Sequence, residues 1–171
     1  MLKIFATCLI SALIGLPAAR AESAKIDFAT YGAVKIGMSQ RDMETVLGFD
    51  LKDQNPADED SESCRYVGSE AGAPGVMFML IHAHLARIDV TSPSVRAVSG
   101  ARIGMSQRNV VKLYRQKAVI SPHAYTAPDG TYVTIHSPDG RYGIRFETDK
   151  GKVVTFYAGT SEAIEYIEGC L

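Results

Sequence analysis

Two stretches of the chain carry apolar side chains at the spacing of an amphipathic helix. The spacing is i, i+3 and i+4 in both, with Met43, Val46 and Leu47 in the first stretch and Val110, Leu113 and Tyr114 in the second. Side chains at this spacing lie on one face of a helix. We therefore predict one helix over residues 39–47, ended by Gly48, and a second helix that begins at Ser106.

Both predicted helices begin within the same hexapeptide, Ile-Gly-Met-Ser-Gln-Arg, which occupies residues 36–41 and again residues 103–108. The serine of each copy is a natural N-cap, because its hydroxyl accepts a hydrogen bond from a backbone N–H in the first turn. The glycine of each copy lets the chain turn into the helix without a Cβ clash. The repetition predicts one structural unit used twice, over about residues 30–92 and about residues 97–160.

The remainder of each unit has the pattern of short strands separated by turns. Turn signals of the Pro-Asp-Gly type begin at Pro128 and at Pro138. The predicted strands cover residues 64–67, 76–81 and 85–91 in the first unit and residues 119–126, 131–137, 142–147 and 153–158 in the second. The fold class is therefore α+β, with two tandem units that each pack a short helix on an antiparallel β-meander.

Two segments outside the meanders receive separate predictions. Residues 92–99 include Pro93 and are predicted as the linker between the units. Residues 161–168 alternate glutamates with apolar side chains and are predicted as a last short helix or an edge strand. This C-terminal tail would carry Cys170 back towards Cys64.

His82 and His84 stand between two predicted strands of the first unit. On one straight strand they would share a face, which is how a zinc or copper site can begin. Alignment of the first unit on the second places them instead at the tip of a hairpin, because a glycine-containing turn occupies residues 148–152 there. We predict an exposed turn and no metal. The acidic residues 58–62 are likewise predicted as a solvated loop, since the EF-hand glycine and distal glutamate are missing.

The first 21 residues have the pattern of a secretory signal peptide. Lys3 precedes an apolar run over residues 4–16, and Ala19-Arg20-Ala21 supplies the small-residue cleavage pattern. The run is too short for a stable membrane span; an uncleaved N-terminal anchor is the alternative. We expect residues 22–171 to form one α+β domain in a bacterial periplasm or outside the cell, without stable membrane insertion after cleavage.

Two cysteines, Cys64 and Cys170, follow the predicted cleavage site. In an oxidising compartment an even pair most simply forms a disulfide. The alternative is a reactive thiol or a metal pair, but neither cysteine lies in a C-x-x-C motif or beside a histidine.

The charge of the chain gives no indication of nucleic-acid binding. Without Lys3 and Arg20, 16 of the 18 basic residues remain against 19 acidic ones, a formal charge of −3. The one modest cationic cluster has the spacing of a solvated helix face and consists of Arg108, Lys112, Arg115 and Lys117. We predict no nucleic-acid partner.

The Ile-Gly-Met-Ser start of a short amphipathic helix, followed by β-strands, resembles the small envelope module of the SmpA/OmlA (BamE-like) family. Two such units in tandem also resemble the architecture of β-lactamase inhibitory proteins, in which each unit lays helices on an antiparallel sheet. The specific part of the resemblance is residues 36–41 and 103–108, which shape the start of each helix and are not catalytic. The resemblance implies an α+β protein that binds other proteins at the cell envelope. Unlike the lipoprotein branch, this chain has no lipid-bearing cysteine after the predicted cleavage site.

The sequence favours a binding protein over an enzyme. It has no Gly-x-Ser-x-Gly or His-Glu-x-x-His pattern to place a nucleophile, a base or a metal. His123 and His136 are each predicted as a surface or hydrogen-bonded histidine and not as a general base. We therefore predict no catalytic residues and no cofactor.

The predicted interaction face lies on the second-unit sheet, where tyrosine and arginine are concentrated. These residue types are enriched in protein interfaces. The candidate contact residues are Tyr132, Arg141, Arg145 and Tyr157. Two alternatives stay open: ordinary amphipathic strand composition, and a small-ligand or metal site in the groove between the units.

Overall fold

The computed structural model describes residues 24–54 and 63–170. The predicted signal peptide and the predicted acidic loop over residues 58–62 lie outside the described residues. The fold is mixed α+β, mostly antiparallel sheet with two short α-helices. Its first elements are β1 (Lys25–Asp27), β2 (Thr30–Tyr31), β3 (Val34–Lys35), α1 (Gln40–Leu47), β4 (Lys52–Asp53), β5 (Cys64–Gly68), β6 (Val76–Ile81) and β7 (His84–Val90). They are followed by β8 (Arg96–Ala97), α2 (Gln107–Tyr114), β9 (Val119–Pro122), β10 (Thr131–His136), β11 (Tyr142–Asp149) and β12 (Lys152–Thr160). Short 3-10 helices cover Arg115–Lys117 and Ala163–Glu165.

The larger sheet has eight strands in the order β4-β5-β6-β7-β12-β11-β10-β9. It consists of two antiparallel meanders, which meet where β7 pairs with β12. Each meander follows one of the α-helices in the chain. Each also has a bulge in its last hairpin, between Met79 and Leu80 in the first and between Glu147 and Thr148 in the second.

A second, four-stranded sheet has the order β3-β2-β1-β8. Its strand β8 lies inside residues 92–99, the segment predicted as the linker between the units. Ile26 of β1 pairs in parallel with Ala97 of β8, and both side chains are buried. The small apolar side chains of this segment therefore contribute to the core.

The two hexapeptides make the same backbone contacts. In the first copy the Gly37 N–H donates to the Leu85 carbonyl at 2.8 Å, and the Leu85 N–H donates to the Met38 carbonyl at 2.9 Å. The second copy makes the same two bonds, at 2.8 and 2.9 Å, through Gly104, Met105 and Val153. Each copy thus ties the start of its helix to the first residues of the last strand in the following meander.

Both predicted N-caps are confirmed. Ser39 Oγ accepts from the Asp42 N–H at 3.2 Å, and Ser106 Oγ accepts from the Asn109 N–H at 3.3 Å. The predicted end of α1 is also confirmed, since Gly48 has the left-handed φ of 76° that suits glycine.

The predicted apolar helix faces are only partly buried. Met43 and Val110 are fully buried, but Val46 is 43% exposed and Leu113 is 45% exposed. Each helix has only eight residues, so the sheet buries the side chain at the centre of their contact and leaves the flanking side chains partly exposed. The third residue of each predicted triplet, Leu47 or Tyr114, packs against the core.

The main core lies between the helices and the larger sheet. Its largest fully buried side chains include Phe78, Ile88, Phe146 and Phe156. Phe146 and Phe156 stack with ring centroids 5.2 Å apart. Strand β6 is covered on both faces, because Phe78 faces this core while Met79 belongs to a second buried cluster on the opposite face.

Candidate functional site

The most concentrated polar chemistry lies on the face of the larger sheet that points away from the helices. Strand pairing puts one row of side chains on that face: Tyr157 is opposite both Asp89 and Arg145, and Arg145 is opposite Thr134. Directly paired residues project to the same side of a sheet. This row crosses the junction between the two meanders, so both halves contribute to it.

Arg87 and Asp89 form the centre of this polar face. The guanidinium reaches the carboxylate twice, through Nε to Oδ2 at 3.0 Å and through Nη2 to Oδ1 at 2.9 Å. Nη2 also donates to the Tyr66 hydroxyl at 2.5 Å, and the guanidinium lies 4.4 Å from the centroid of the Tyr157 ring. Burial raises the pKa of the Asp89 carboxyl, while the Arg87 charge opposes that rise. Burial and the Asp89 charge raise the pKa of Tyr66 to about 12.

Glu147 connects the row to the loop after β9. It accepts from the Tyr157 hydroxyl at 3.0 Å, and its other oxygen lies 3.3 Å from His123 Nε2. His123 Nδ1 accepts from the backbone N–H groups of Tyr125 and Thr126 at 3.2 and 3.4 Å, so the hydrogen of the neutral ring lies on Nε2 and points at Glu147. Burial, followed by the Glu147 charge, raises the pKa of Tyr157. The ring of His123 therefore has partners at both nitrogens, as expected for a structural histidine.

The turn around His123 also explains why β9 is shorter than predicted. The strand predicted over residues 119–126 ends at Pro122. Beyond it, His123 Nδ1 accepts from the backbone N–H groups of Tyr125 and Thr126, and the ring stacks on Tyr132 with centroids 4.5 Å apart. These contacts fold the chain over the sheet face instead of extending the strand.

Residues 161–170, which we call the C-terminal segment, cover the other side of the polar face. Arg87 Nη1 donates to the carbonyls of Ala163 and Tyr166 at 3.0 and 2.7 Å. Arg145 forms an ion pair with Glu165. The predicted disulfide between Cys64 and Cys170 is present, with 5.3 Å between the two Cα atoms. The segment is therefore fixed both covalently and by two buried arginines.

Gly143 in β11 leaves space for a side chain of this segment. Ile164 is fully buried, and a Cβ at Gly143 would lie 2.3 Å from its Cδ1 atom. Only glycine leaves this space without displacing Ile164. The prediction for residues 161–168 is correct in its helical alternative, in the form of the 3-10 helix Ala163–Glu165.

Three of the four residues predicted for an interaction face are buried. Tyr132, Arg145 and Tyr157 are only 5%, 6% and 3% exposed, so the expectation that they lie at the surface was wrong. The physical reason is that two parts of the chain cover them: the C-terminal segment and the loop that follows β9. Arg141 is exposed, with its side chain 72% accessible and paired to Asp139 at 2.7 Å.

Three exposed apolar side chains lie in the two segments that cover the buried row. They are Tyr125, which is 65% exposed, Tyr166, which is 37% exposed, and Ile167, which is 47% exposed. The Tyr125 hydroxyl donates to Glu168, which joins the loop to the C-terminal segment. We call these three side chains the C-terminal patch. Sequence reasoning missed it because the loop and the tail are 41 residues apart (125 against 166) and only the fold brings them together.

The histidine pair is located as predicted. His82 and Ala83 form the turn between β6 and β7, both with positive φ, and His84 Nδ1 lies 2.8 Å from the His82 carbonyl oxygen. Among residues 24–54 and 63–170 there is no group of three or more side chains suited to hold a metal ion. In the same part of the chain, neither helix is long and apolar enough to cross a membrane.

Comparison with known proteins gives no relative from which a role could be transferred. No protein-family model, curated protein or solved structure matches the chain.

Proposed function

We propose that the chain is an exported, non-enzymatic protein-interaction module of the bacterial cell envelope. In this proposal it consists of two tandem helix-and-meander units, related to BamE-like modules and to β-lactamase inhibitory proteins. The duplication is supported by the matching hydrogen bonds of the two hexapeptides and by the matching bulges in the two meanders.

The observation that carries the binding function is the C-terminal patch. Tyrosine and isoleucine side chains at the surface have apolar area to bury against a partner, and tyrosine loses little rotamer entropy on binding. The backbone beneath them is fixed by the disulfide and by the buried Ile164. A rigid apolar patch binds without the cost of ordering a loop, which favours recognition of a folded protein surface.

In this proposal, Arg145 and Tyr132, which were predicted from the sequence for the interaction face, support the patch from below. Arg145 holds Glu165, and Tyr132 stacks under His123, which positions Tyr125 through its backbone N–H. They act through the residues above them and do not touch the partner.

The test is a crosslinking pull-down from the cell envelope with the exported, disulfide-bonded protein as bait. A Tyr125→Ala/Ile167→Ala variant is expected to lose a partner that the wild-type protein captures reproducibly. The matched control is Val46→Ala/Val98→Ala, which removes side chains 43% and 60% exposed on α1 and beside β8. Capture that is unchanged by the patch variant, or lost equally with the control, would overturn the assignment of the patch.

A further inference from the structure

A groove runs along the outer edge of the larger sheet, between α2 and β9. It consists of two adjoining cavities of about 450 and 470 Å³, and Ile120 of the edge strand lines both. The first cavity is also bounded by Gln107, Val111 and Lys112 of α2, and the second by Pro122 and Pro128. We call this surface the edge groove. Ile120 is 50% exposed there.

The matching position of the first meander holds different side chains. In the first meander, Asp53 pairs with Val67, which pairs with Phe78. In the second meander, Ile120 pairs with Val133, which pairs with Phe146. Asp53 therefore occupies the place in its edge strand that Ile120 occupies in the other. By the same count, Arg65 of β5 matches Thr131 of β10.

Polar side chains fill the space in the first meander. Arg65 donates to Gln40 Oε1 of α1 at 2.9 Å and forms an ion pair with Asp53 at 3.3 Å. The guanidinium thus bridges the helix and the edge strand. In the second meander the shorter Thr131 reaches Gln107 Oε1 at 3.2 Å, and the aliphatic Ile120 stands where the carboxylate of Asp53 would be. Thr131 is too short to bridge α2 and β9 in the way that Arg65 bridges α1 and β4.

The rim of the edge groove is cationic. Arg108 and Lys112 border the first cavity, and the next helical turn adds Arg115 and Lys117. Within residues 24–54 and 63–170, none of these four side chains has an ion-pair partner. The stretch of sequence between Thr91 and Pro128, which contains α2 and β9, has no aspartate or glutamate.

The backbone of the edge strand is also open on this side. The His123 N–H donates to the Gly130 carbonyl at 3.1 Å, and β9 pairs with β10 in the same register. In an antiparallel pair the inward and outward backbone groups alternate, so the N–H and carbonyl of Ile120 point away from β10. Pro122 has no N–H, so it limits any added strand to a short one.

We propose that the edge groove binds a short, extended, acidic segment of a partner protein. One large apolar side chain of that segment rests on Ile120, and its backbone pairs with the outward groups of Ile120. The flanking carboxylates face Arg108 and Lys112. The inference rests on the proposed duplication for the comparison of the two meanders, but it uses a surface separate from the C-terminal patch.

The experiment uses the exported, disulfide-bonded protein and two acetylated pentapeptides as probes. One peptide has a central leucine flanked on each side by two glutamates, and the other replaces the glutamates with lysines. Peptide binding is followed by NMR shifts of backbone amides, at concentrations up to about 1 mM. We expect the acidic peptide to shift the amides of Ile120 and Gln107 and to bind at least about tenfold more tightly than the basic one.

Charge reversal provides the specific control. Arg108→Glu/Lys112→Glu is expected to weaken the acidic peptide at least about tenfold and to favour the basic peptide. The matched variant on α1, Arg41→Glu/Thr45→Glu, should leave binding unchanged. Absence of shifts at the groove at about 1 mM, or equal binding of both peptides, would overturn the proposal.

Two further outcomes would also overturn it in favour of another occupant. Concentration-dependent dimerisation that Ile120→Asp abolishes would assign the groove to a second copy of this chain. Binding to anionic vesicles that depends on Arg108 and Lys112, without binding of the acidic peptide, would assign it to a lipid surface. Loss of a pull-down partner through Tyr125 and Ile167 is independent of every outcome here, so the two proposals fail separately.

Discussion

Arg87 and Asp89, two positions apart on β7, form a bidentate ion pair. The same guanidinium also holds the C-terminal segment in place. The strand alternation puts both side chains on the face away from the helices, with side-chain exposures of only 4% and 12%. The guanidinium uses its remaining hydrogens for Tyr66 and for the carbonyls of Ala163 and Tyr166. One arginine thus links β5, β7 and the C-terminal segment.

Removal of the Asp89 carboxylate should strongly destabilise the protein. An Asp89→Ala variant leaves the Arg87 charge buried without its counter-ion, and breaking a buried pair in this way costs about 3–5 kcal/mol. The free energy of unfolding, measured by urea denaturation, is expected to fall by that amount. The double variant Arg87→Met/Asp89→Leu should cost less than the sum of the two single changes, because it also removes the unpaired charge.

The control for this prediction is the exposed pair of Arg141 and Asp139. Asp139→Ala removes a hydrogen-bonded carboxylate whose pKa is lowered to about 2, first by Ser137 and then by Arg141. Solvent screens this pair, so its loss should leave the urea midpoint nearly unchanged. Equal effects of Asp89→Ala and Asp139→Ala would contradict the buried role of Arg87.

The local architecture could be predicted from the sequence because its signals are short-range. Ser39, Ser106 and Gly48 act on their own helix turns, and Val76–Ile81 is apolar at each position, so these features lie where they were expected. The burial of Tyr132 could not be predicted in the same way. It depends on residues at the far end of the chain, and period-2 alternation states which face a side chain is on, not whether a later segment covers that face.

The small strand β8 and the edge groove show a second limit of sequence reasoning. A two-residue strand has no periodicity to detect, so Arg96–Ala97 was assigned to a linker. The groove arises from a difference between matching positions, Arg65 in one meander and Thr131 in the other. That difference has meaning only after the strand register is known.

Alkaline pH should destabilise the protein through Tyr66. Its pKa is raised from 10.0 to about 12 in the folded state, first by burial and then by the Asp89 charge. The neutral phenol is thus favoured in the folded protein, so its contribution to stability is fully present below pH 10 and is lost as the pH rises towards 12. Urea unfolding at a series of pH values should show this decline.

A Tyr66→Phe variant isolates the contribution of this phenol. Its free energy of unfolding should fall less steeply between pH 10 and pH 12 than that of the wild-type protein, since no proton is released from this position on unfolding. Identical slopes in the two proteins would mean that the Tyr66 hydroxyl does not titrate differently in the folded and unfolded states.

The two hexapeptides provide an internal comparison of helix capping. Ser39 and Asp42 form a reciprocal capping box, whereas Ser106 only accepts from the Asn109 N–H. Replacing an N-cap serine by alanine typically costs about 1 kcal/mol. Ser39→Ala should therefore lower the free energy of unfolding more than Ser106→Ala does, because it removes two side-chain hydrogen bonds, one from the Asp42 N–H and one to Asp42 Oδ2, where Ser106→Ala removes one. Equal losses in urea denaturation would show that the Asp42 carboxylate adds nothing to the cap.

Loss of the disulfide should destabilise the whole protein and loosen the C-terminal segment in particular. Cys64 and Cys170 are 106 positions apart, so the cross-link removes about 4–5 kcal/mol of chain entropy from the unfolded state. Cys64→Ser/Cys170→Ser should lower the free energy of unfolding by up to that amount. Hydrogen exchange at the amides of residues 163–166 should accelerate more than exchange in β6, because the segment opens locally once its covalent end is free. Unchanged protection there would mean that Ile164 and the two buried arginines hold the segment without the disulfide.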